Sequence, residues 1–383
     1  MQERFLYHRY FLPLSFLFFA IILTLFGILM IYNAASLARA QSQLLWFVFA
    51  LAAGFVSFCV DYRLWRYMAW PLYVFAVFLL IVVLLPGFGD TLYGAQRWIR
   101  LSGVPLFGSI GFQPSEIAKI AVVVFFSWWF SKKNRRRDFY SFLGFLGFLG
   151  VIVFLIMLQP DLGTTIIIVL SVIVIYILAR EPVQYLYILS PLVFVGFVVL
   201  ILIAPYRLSR LQSYFYFWTN PFDTPDQLGT TYHIRQAVIG IGSGGLVGIG
   251  PGQSLQKYGY LPFAETDSIF AIIGEEFGFL GLTLFLIVIV LFFRQGFLIA
   301  DRAREDFGRL MAAGFITWFA VQVLLNIGAM TALIPFTGVP LLFISYGGSA
   351  LVVGFIAVGI LMNIAISSRR DNVSRIFLGK KVP

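Results

Sequence analysis

The sequence predicts an all-α polytopic membrane protein: about ten transmembrane helices, both termini cytoplasmic, and a long outer loop between the seventh and eighth helices. Three observations predict it. The 383 residues are 60% hydrophobic and only 11% charged, with a mean hydropathy of +0.93. That leaves too little polar surface to clothe a soluble globule. The apolar residues fall into runs of bilayer length. The basic residues collect in alternate loops.

A helix crosses the hydrocarbon core with about 20 apolar residues. Runs of that kind occupy roughly 11–32, 44–60, 68–86, 114–130, 140–158, 163–179, 184–204, 270–293, 309–330 and 341–367. The first has no small-residue cleavage site and reads as a retained helix. The whole, residues 1–383, reads as a single integral membrane domain without an internal repeat. Cys59 is the only cysteine, so no internal disulfide is available.

Lys and Arg set the orientation. With the N-terminus inside, most of the 27 basic residues lie on the cytoplasmic side, including KKNRRR (132–137). The net charge of +10 is therefore a topology signal, and no nucleic-acid partner is expected. Two long outer segments remain, 87–113 and 205–269, and both carry polar residues that topology does not explain.

The second outer segment opens with RLSRLQSYFYFWTNPFD (207–223). Its five consecutive aromatics, Tyr214 to Trp218, make either an interfacial belt or a wall of a lipid-substrate groove. Next, GIGSGGLVGIGPG (240–252) gives a re-entrant loop or a loop that offers N–H groups to pyrophosphate. It lacks the βαβ context of a dinucleotide fingerprint. The segment ends in ETDSIFAIIGEEFG (265–278), where four carboxylates stand among apolar residues. Thr266 is placed to cap a helix whose first turn holds Asp267, an anion that a helix N-terminus keeps ionised at the outer surface. Glu275 and Glu276 lie about 12 Å deeper on the same helix. At least one is expected to pair with a buried base or accept from a neighbouring helix. Glu265 faces water.

The first outer segment supplies cations. GAQRWIRLSG (94–103) holds Arg97 and Arg100 around Trp98. In QPSEIAK (113–119), Pro114 suits the first helical turn and Glu116 and Lys119 share a face at i,i+3. That pair is an ion pair just inside the bilayer or a functional site. QPDLGT (159–164) puts Asp161 at another outer helix end. Spacing does not show that these residues converge.

Taken together, GAQRW, FQPSEIAK, QPDLGT, YHIRQAVIGIGSGGLVGIGPGQSLQKYGYLP (232–262), ETDSIFAIIGEEFG and IPFTGVPLLFISYGGSA (334–350) resemble the SEDS family of RodA-, FtsW- and SpoVE-like proteins over essentially the whole chain. The resemblance implies a ten-helix enzyme of the bacterial cytoplasmic (inner) membrane with its active site facing outside. It implies a peptidoglycan glycosyltransferase that polymerises lipid II, whose carrier is undecaprenyl pyrophosphate, into glycan strands. Implied partners are a class B penicillin-binding protein, other elongation or division complex proteins and membrane lipid. Asp267 matches the family's catalytic aspartate. Arg97, Gln113, Glu116, Lys119, Asp161 and Lys257 are carried over as substrate-binding candidates. A divalent cation, Mg or Mn, is a possible cofactor. The loop QSLQKYGYLP leans towards the division and sporulation members. A flippase or transporter of the same lipid-linked precursor is the alternative reading.

Overall fold

The computed structural model describes residues 2–86, 89–92, 95–104, 108–132, 137–203, 205–220 and 229–377. Most of KKNRRR (133–136), Gly94 and the acidic end of the aromatic segment, 221–228, lie outside the described residues.

Twelve α-helices follow one another among the described residues. They are α1 (Gln2–Ala34), α2 (Leu37–Cys59), α3 (Trp65–Val82), α4 (Pro114–Phe130), α5 (Phe139–Leu158), α6 (Leu162–Leu178), α7 (Gln184–Ile203), α8 (Pro205–Thr219), α9 (Thr230–Ser243), α10 (Ile269–Arg302), α11 (Asp306–Met330) and α12 (Gly348–Phe377). Each of the ten apolar runs falls on a helix, and α8 and α9 are the two that no run anticipates. Seven of the described helices are long and apolar enough to cross a membrane: α1, α2, α3, α5, α10, α11 and α12. The chain is thus a multi-pass membrane protein. α6, at 17 residues, is a shorter apolar helix.

Two corrections concern the last run and the segments between runs. The run expected at 341–367 becomes helical only at Gly348, and 340–347 is a largely buried loop ahead of α12. The fold is mostly but not wholly helical. The described residues of 87–113 include a three-stranded antiparallel sheet of β1 (Gly89–Leu92), β2 (Ala95–Val104) and β3 (Gly108–Phe112). In the segment 205–269, α8 carries the five aromatics and α9 follows it. On α8, Phe217 is buried while Phe215 and Trp218 are exposed, as on a helix lying in an interface.

The core centres on α11. Phe307, Phe315, Trp318 and Phe319 are almost fully buried there, between α4, α6 and α10. Outer helices show apolar faces instead, with Phe55, Tyr67 and Phe154 all largely exposed. That pattern suits lipid as the surrounding solvent.

α10 is broken at Gly278, whose φ is 65°. The glycine-rich segment after α9 fills the break. Ile249 and Gly250 donate their N–H groups to the carbonyls of Glu275 and Glu276, at 3.1 Å each. Phe279 and Leu280 donate theirs to the carbonyls of Gly245 and Leu246, at 2.9 and 3.0 Å. The backbone groups freed by the break are thereby paired, which a break at membrane depth requires. A Cβ at Gly248 would run into the backbone of Glu276 and Phe277, so glycine is needed at this crossing.

Candidate functional site

The functional residues gather where the N-termini of α4, α6 and α10 meet the sheet, α8 and the loop before α12. Asp267 does not sit in the first turn of α10, as expected, but in the turn before it. The N-cap is Ser268, and Thr266 turns its hydroxyl to the Phe263 carbonyl instead of capping the helix. The reason is that this turn is suspended by its carbonyls. Asn326 on α11 donates to the Asp267 carbonyl at 2.7 Å and to the Val339 carbonyl at 2.8 Å. The Ser345 hydroxyl donates to the Thr266 carbonyl at 2.5 Å, and the Tyr346 N–H to that of Glu265 at 2.9 Å.

The backbone of Asp267 is therefore clamped while its carboxylate accepts no hydrogen bond and forms no ion pair among the described residues. Burial pushes the acid up to about 6, above the ordinary 3.8. Arg210 first and Arg97 second pull it back down, and Asp161 pushes it up. The helix end does not hold it low, contrary to expectation, because no N–H of α10 reaches it.

Ser268 donates to the Pro262 carbonyl at 2.9 Å, so the imidazole of His233 at 2.9 Å must donate to the serine oxygen through Nε2–H. His233, on α9, is buried, and its ring lies 4.3 Å from that of Phe336. Burial, with Arg210 nearby, holds it down at about 4.

Arg97 occupies the bulge in β2: Trp98 pairs with Asp90 and Gln96 with Thr91, leaving Arg97 as the extra residue. A bulge re-aims the side chain it carries. Its Nε donates to the Gln159 carbonyl at 2.8 Å and its Nη2 to the Pro160 carbonyl. Asp161 caps α6, accepting from the Thr164 N–H at 3.1 Å and the Thr164 hydroxyl at 2.9 Å. Gln113 adds a donor to Asp161 at 3.4 Å.

Glu116 and Lys119 form a buried ion pair at 2.8 Å. Lys119 also donates to Gln322 at 3.2 Å and lies 4.6 Å above the ring of Trp318. Lys257 stays with its own loop, donating to the Gly252 carbonyl at 2.5 Å. The structure thus brings together Arg97, Gln113, Asp161 and Asp267, with Glu116 and Lys119 buried farther along α4. It does not bring Lys257 into the cluster.

The two glutamates that follow are anchors. Glu275 accepts from the Ser254 hydroxyl and from the N–H groups of Leu255 and Gln256 at 3.1 and 3.3 Å, tying down the loop that leads to Asp267. Glu276 accepts from Asn33 of α1 at 3.1 Å, which meets the expectation of a neighbouring-helix donor. Glu265 lies 4.0 Å from Arg39.

Sequence reasoning missed Arg210, His233, Asn326 and Ser345 as parts of the site. All are placed by tertiary contacts between distant segments. Arg210 had one available signal, a base on an aromatic helix at the interface.

No group of three or more His, Cys, Asp or Glu side chains able to hold a metal occurs among the described residues. Both oxygens of Asp161 already accept hydrogen bonds, which leaves Asp267 as the open carboxylate. Asp267 is thus the one carboxylate of the cluster open to a divalent cation, whose other ligands would be phosphate oxygens and water.

These features define a multi-pass membrane protein with a carboxylate unpaired among the described residues, in the turn before α10, and two guanidinium groups near it, one from β2 and one from α8. The FtsW/RodA/SpoVE model, described as cell cycle protein, matches residues 13–370, and the chain belongs to that family. It is 39% identical over 364 residues to stage V sporulation protein E of Bacillus subtilis strain 168, covering 91% of this chain and 95% of that one. It is 36% identical over 366 residues to the probable peptidoglycan glycosyltransferase FtsW of Trichlorobacter lovleyi, covering 92% of each. Among solved structures, a chain of a peptidoglycan synthase complex described as coordinating polymerization and crosslinking superposes with a TM-score of 0.76 at 23% identity, covering 93% of this chain and 98% of that one. The rod shape determining protein RodA of Thermus thermophilus gives 0.66 at 24% identity, covering 91% and 95%. At those identities the structures speak for the fold.

Proposed function

We propose that this chain is a peptidoglycan glycosyltransferase that polymerises lipid II on the outer face of the bacterial cytoplasmic membrane. It works in cell division or elongation, alongside a class B penicillin-binding protein. Family membership and the names of the relatives support the reaction class. The likeness to a chain of a synthase complex supports such a partner. The placement of bases in the loops supports ten spans with both termini inside and the cluster outside.

The observation that carries the reading is the free carboxylate of Asp267, clamped through its backbone beside two guanidinium groups. In the reaction, an acceptor sugar hydroxyl attacks the anomeric carbon of lipid II. The new bond joins that oxygen to the anomeric carbon, and the bond from the anomeric carbon to the diphosphate oxygen breaks. Asp267 takes the hydroxyl proton, and an acid near 6 is well matched to that work at neutral pH. The departing diphosphate needs cations. Arg97 keeps Nη1 without a hydrogen bond among the described residues and is a candidate for that contact. Asp161 and Gln113 brace the floor of the site, and Glu116 with Lys119 shapes its wall. Lys257 remains a substrate contact in this reading only if its loop turns towards the site. A divalent cation, Mg or Mn, would act with ligands drawn from the substrate's phosphates and water, and no step above depends on it.

The test is purified protein with its penicillin-binding partner and fluorescent lipid II. Glycan polymer is expected on a gel. Translocation of lipid II across vesicles without polymer would replace this reading with the flippase.

A further inference from the structure

The two guanidinium groups near Asp267 are in different states. Arg97 spends Nε and Nη2 on the carbonyls of Gln159 and Pro160. Arg210, on α8, is held by its Nη1 bond to the Phe336 carbonyl at 3.1 Å. Its guanidinium also lies 5.1 Å from the ring of Phe336 and 5.3 Å from that of Tyr206. Those contacts fix the plane and leave Nη2 without a hydrogen bond among the described residues.

Gly338 stands beside both Arg210 and Asp267. A Cβ built there would lie 3.5 Å from Asp267 Oδ2 and 3.9 Å from Arg210 Nη2. Its φ of 70° is one that side-chain-bearing residues seldom adopt. The carboxylate and the cation thus flank one gap that glycine keeps open, and they are not ion-paired. An acceptor and a donor nitrogen that border one space without pairing can engage two different groups of one substrate.

We propose that Arg210 is a further catalytic residue, which takes an oxygen of the departing diphosphate across the Gly338 gap while Asp267 takes the proton of the attacking hydroxyl. The electron pair of the broken anomeric carbon–oxygen bond then comes to rest on the diphosphate oxygen facing Nη2. This rests on the role of Asp267 set out above. It differs from it in assigning the leaving-group contact to a residue of α8, the aromatic helix.

The charges facing Asp267 come from every element around it: Arg97 from β2, Asp161 from the start of α6, and Arg210 from α8. Tyr206, on α8, and His233, on α9, face Arg210 in turn. Arg210 is the largest of the influences that lower the Asp267 acid. Its loss moves the acidic limb of the pH–rate profile upward from about 6.

The experiment compares Arg210→Gln, Arg210→Lys, Gly338→Ala and Asp267→Asn in the complex with the penicillin-binding partner, using lipid II. Gln can still donate to the Phe336 carbonyl but carries no charge. Arg210→Gln is expected to lower kcat by about 10²–10³-fold, the usual cost of losing one charge-stabilising donor. Its Tm should stay near wild type and its acidic limb should move upward. Arg210→Lys should regain part of the rate and return the limb, because a point charge lacks the fork. Gly338→Ala fills the gap but also strains a φ of 70°, so its kcat is read beside its Tm: a lower kcat at wild-type Tm supports the gap, and wild-type kcat would overturn it. Wild-type kcat and an unmoved limb in Arg210→Gln, with Asp267→Asn inactive, would overturn this inference alone. So would a loss of rate in Arg210→Gln with an unmoved limb and no recovery in Arg210→Lys, which is the signature of a brace for the Phe336 loop. An active Asp267→Asn would instead remove the reading beneath it.

Discussion

Glu116 and Lys119 meet at 2.8 Å with side chains 5% and 3% exposed, whereas Asp267 and Arg210 flank a gap beside Gly338 without pairing. Both sets bring a carboxylate near a base. The first is closed: Gln322 accepts from Lys119, Trp318 covers it, and Gln322 passes its own N–H to the Pro340 carbonyl at 3.0 Å. The second is open, with its backbone clamped and its charged tips left over. The difference teaches how to tell architecture from chemistry where residue types do not. A charge whose partners are all supplied by the fold holds the fold together. A charge whose surroundings are rigid but whose own valence is unmet is arranged for something that arrives later.

The comparison is sharpened first by breaking the closed pair. Glu116→Gln or Lys119→Met alone leaves a buried charge without its partner, which costs about 3–5 kcal/mol. Thermal unfolding in detergent should show a large fall in Tm for each. The double variant should recover more than additivity allows, since neither charge is then left alone. Purely additive losses would mean that the two side chains are not coupled, and the contrast with Asp267 would dissolve.

A smaller effect tests whether the glutamates beyond Asp267 are anchors. Glu275→Ala strips the acceptor from Ser254, Leu255 and Gln256. A loss of about 3 kcal/mol is expected, from donors left unpaired in a buried place. Proteolysis within 250–262 should speed up in step, and an unchanged cleavage rate would remove Glu275 as the tether of that loop.

The smallest effect lies in pH. Asp267 sits at about 6 in the fold against 3.8, so between those values the folded chain holds more protons than the unfolded one. Its contribution to stability is full below about 4 and is lost as pH rises through 6. His233, at about 4 against 6.5, acts in the opposite sense, with stability lost as pH falls from 6.5 towards 4. Asp267→Asn removes the first slope. Relative to wild type, its stability should rise across pH 4–6 and level off at about 1–2 kcal/mol, allowing for solvent screening of a partly exposed group. A difference that stays flat across that range would show that Asp267 is not perturbed by the fold.

The helices were legible because a bilayer demands long apolar runs, and each of the ten runs falls on one. The sheet was not: β1 and β3 are only four and five residues long, and the ten residues of β2, AQRWIRLSGV, carry little apolar–polar alternation. Asp267 stood out as a carboxylate where charge is costly, and the convergence of Arg97 and Asp161 on it needed the tertiary fold. His233 lay within a motif stretch but its role was not legible, and Asn326 carried no signal, because what each does depends on a partner many residues away. The helix start was misjudged by two residues because the carbonyls of 265–267 are claimed by Tyr346, Ser345 and Asn326, contacts no local rule anticipates.

The most direct measurement is lipid II polymerisation by purified Asp267→Asn beside wild type, with the Tm of both recorded in the same detergent. Asparagine keeps the shape of the side chain and removes its capacity to take a proton. No glycan polymer from a protein that unfolds at or above the wild-type temperature is the result expected of an open, unpaired base. Wild-type amounts of polymer from that variant would contradict it and leave the carboxylate as one more charge at the end of a helix.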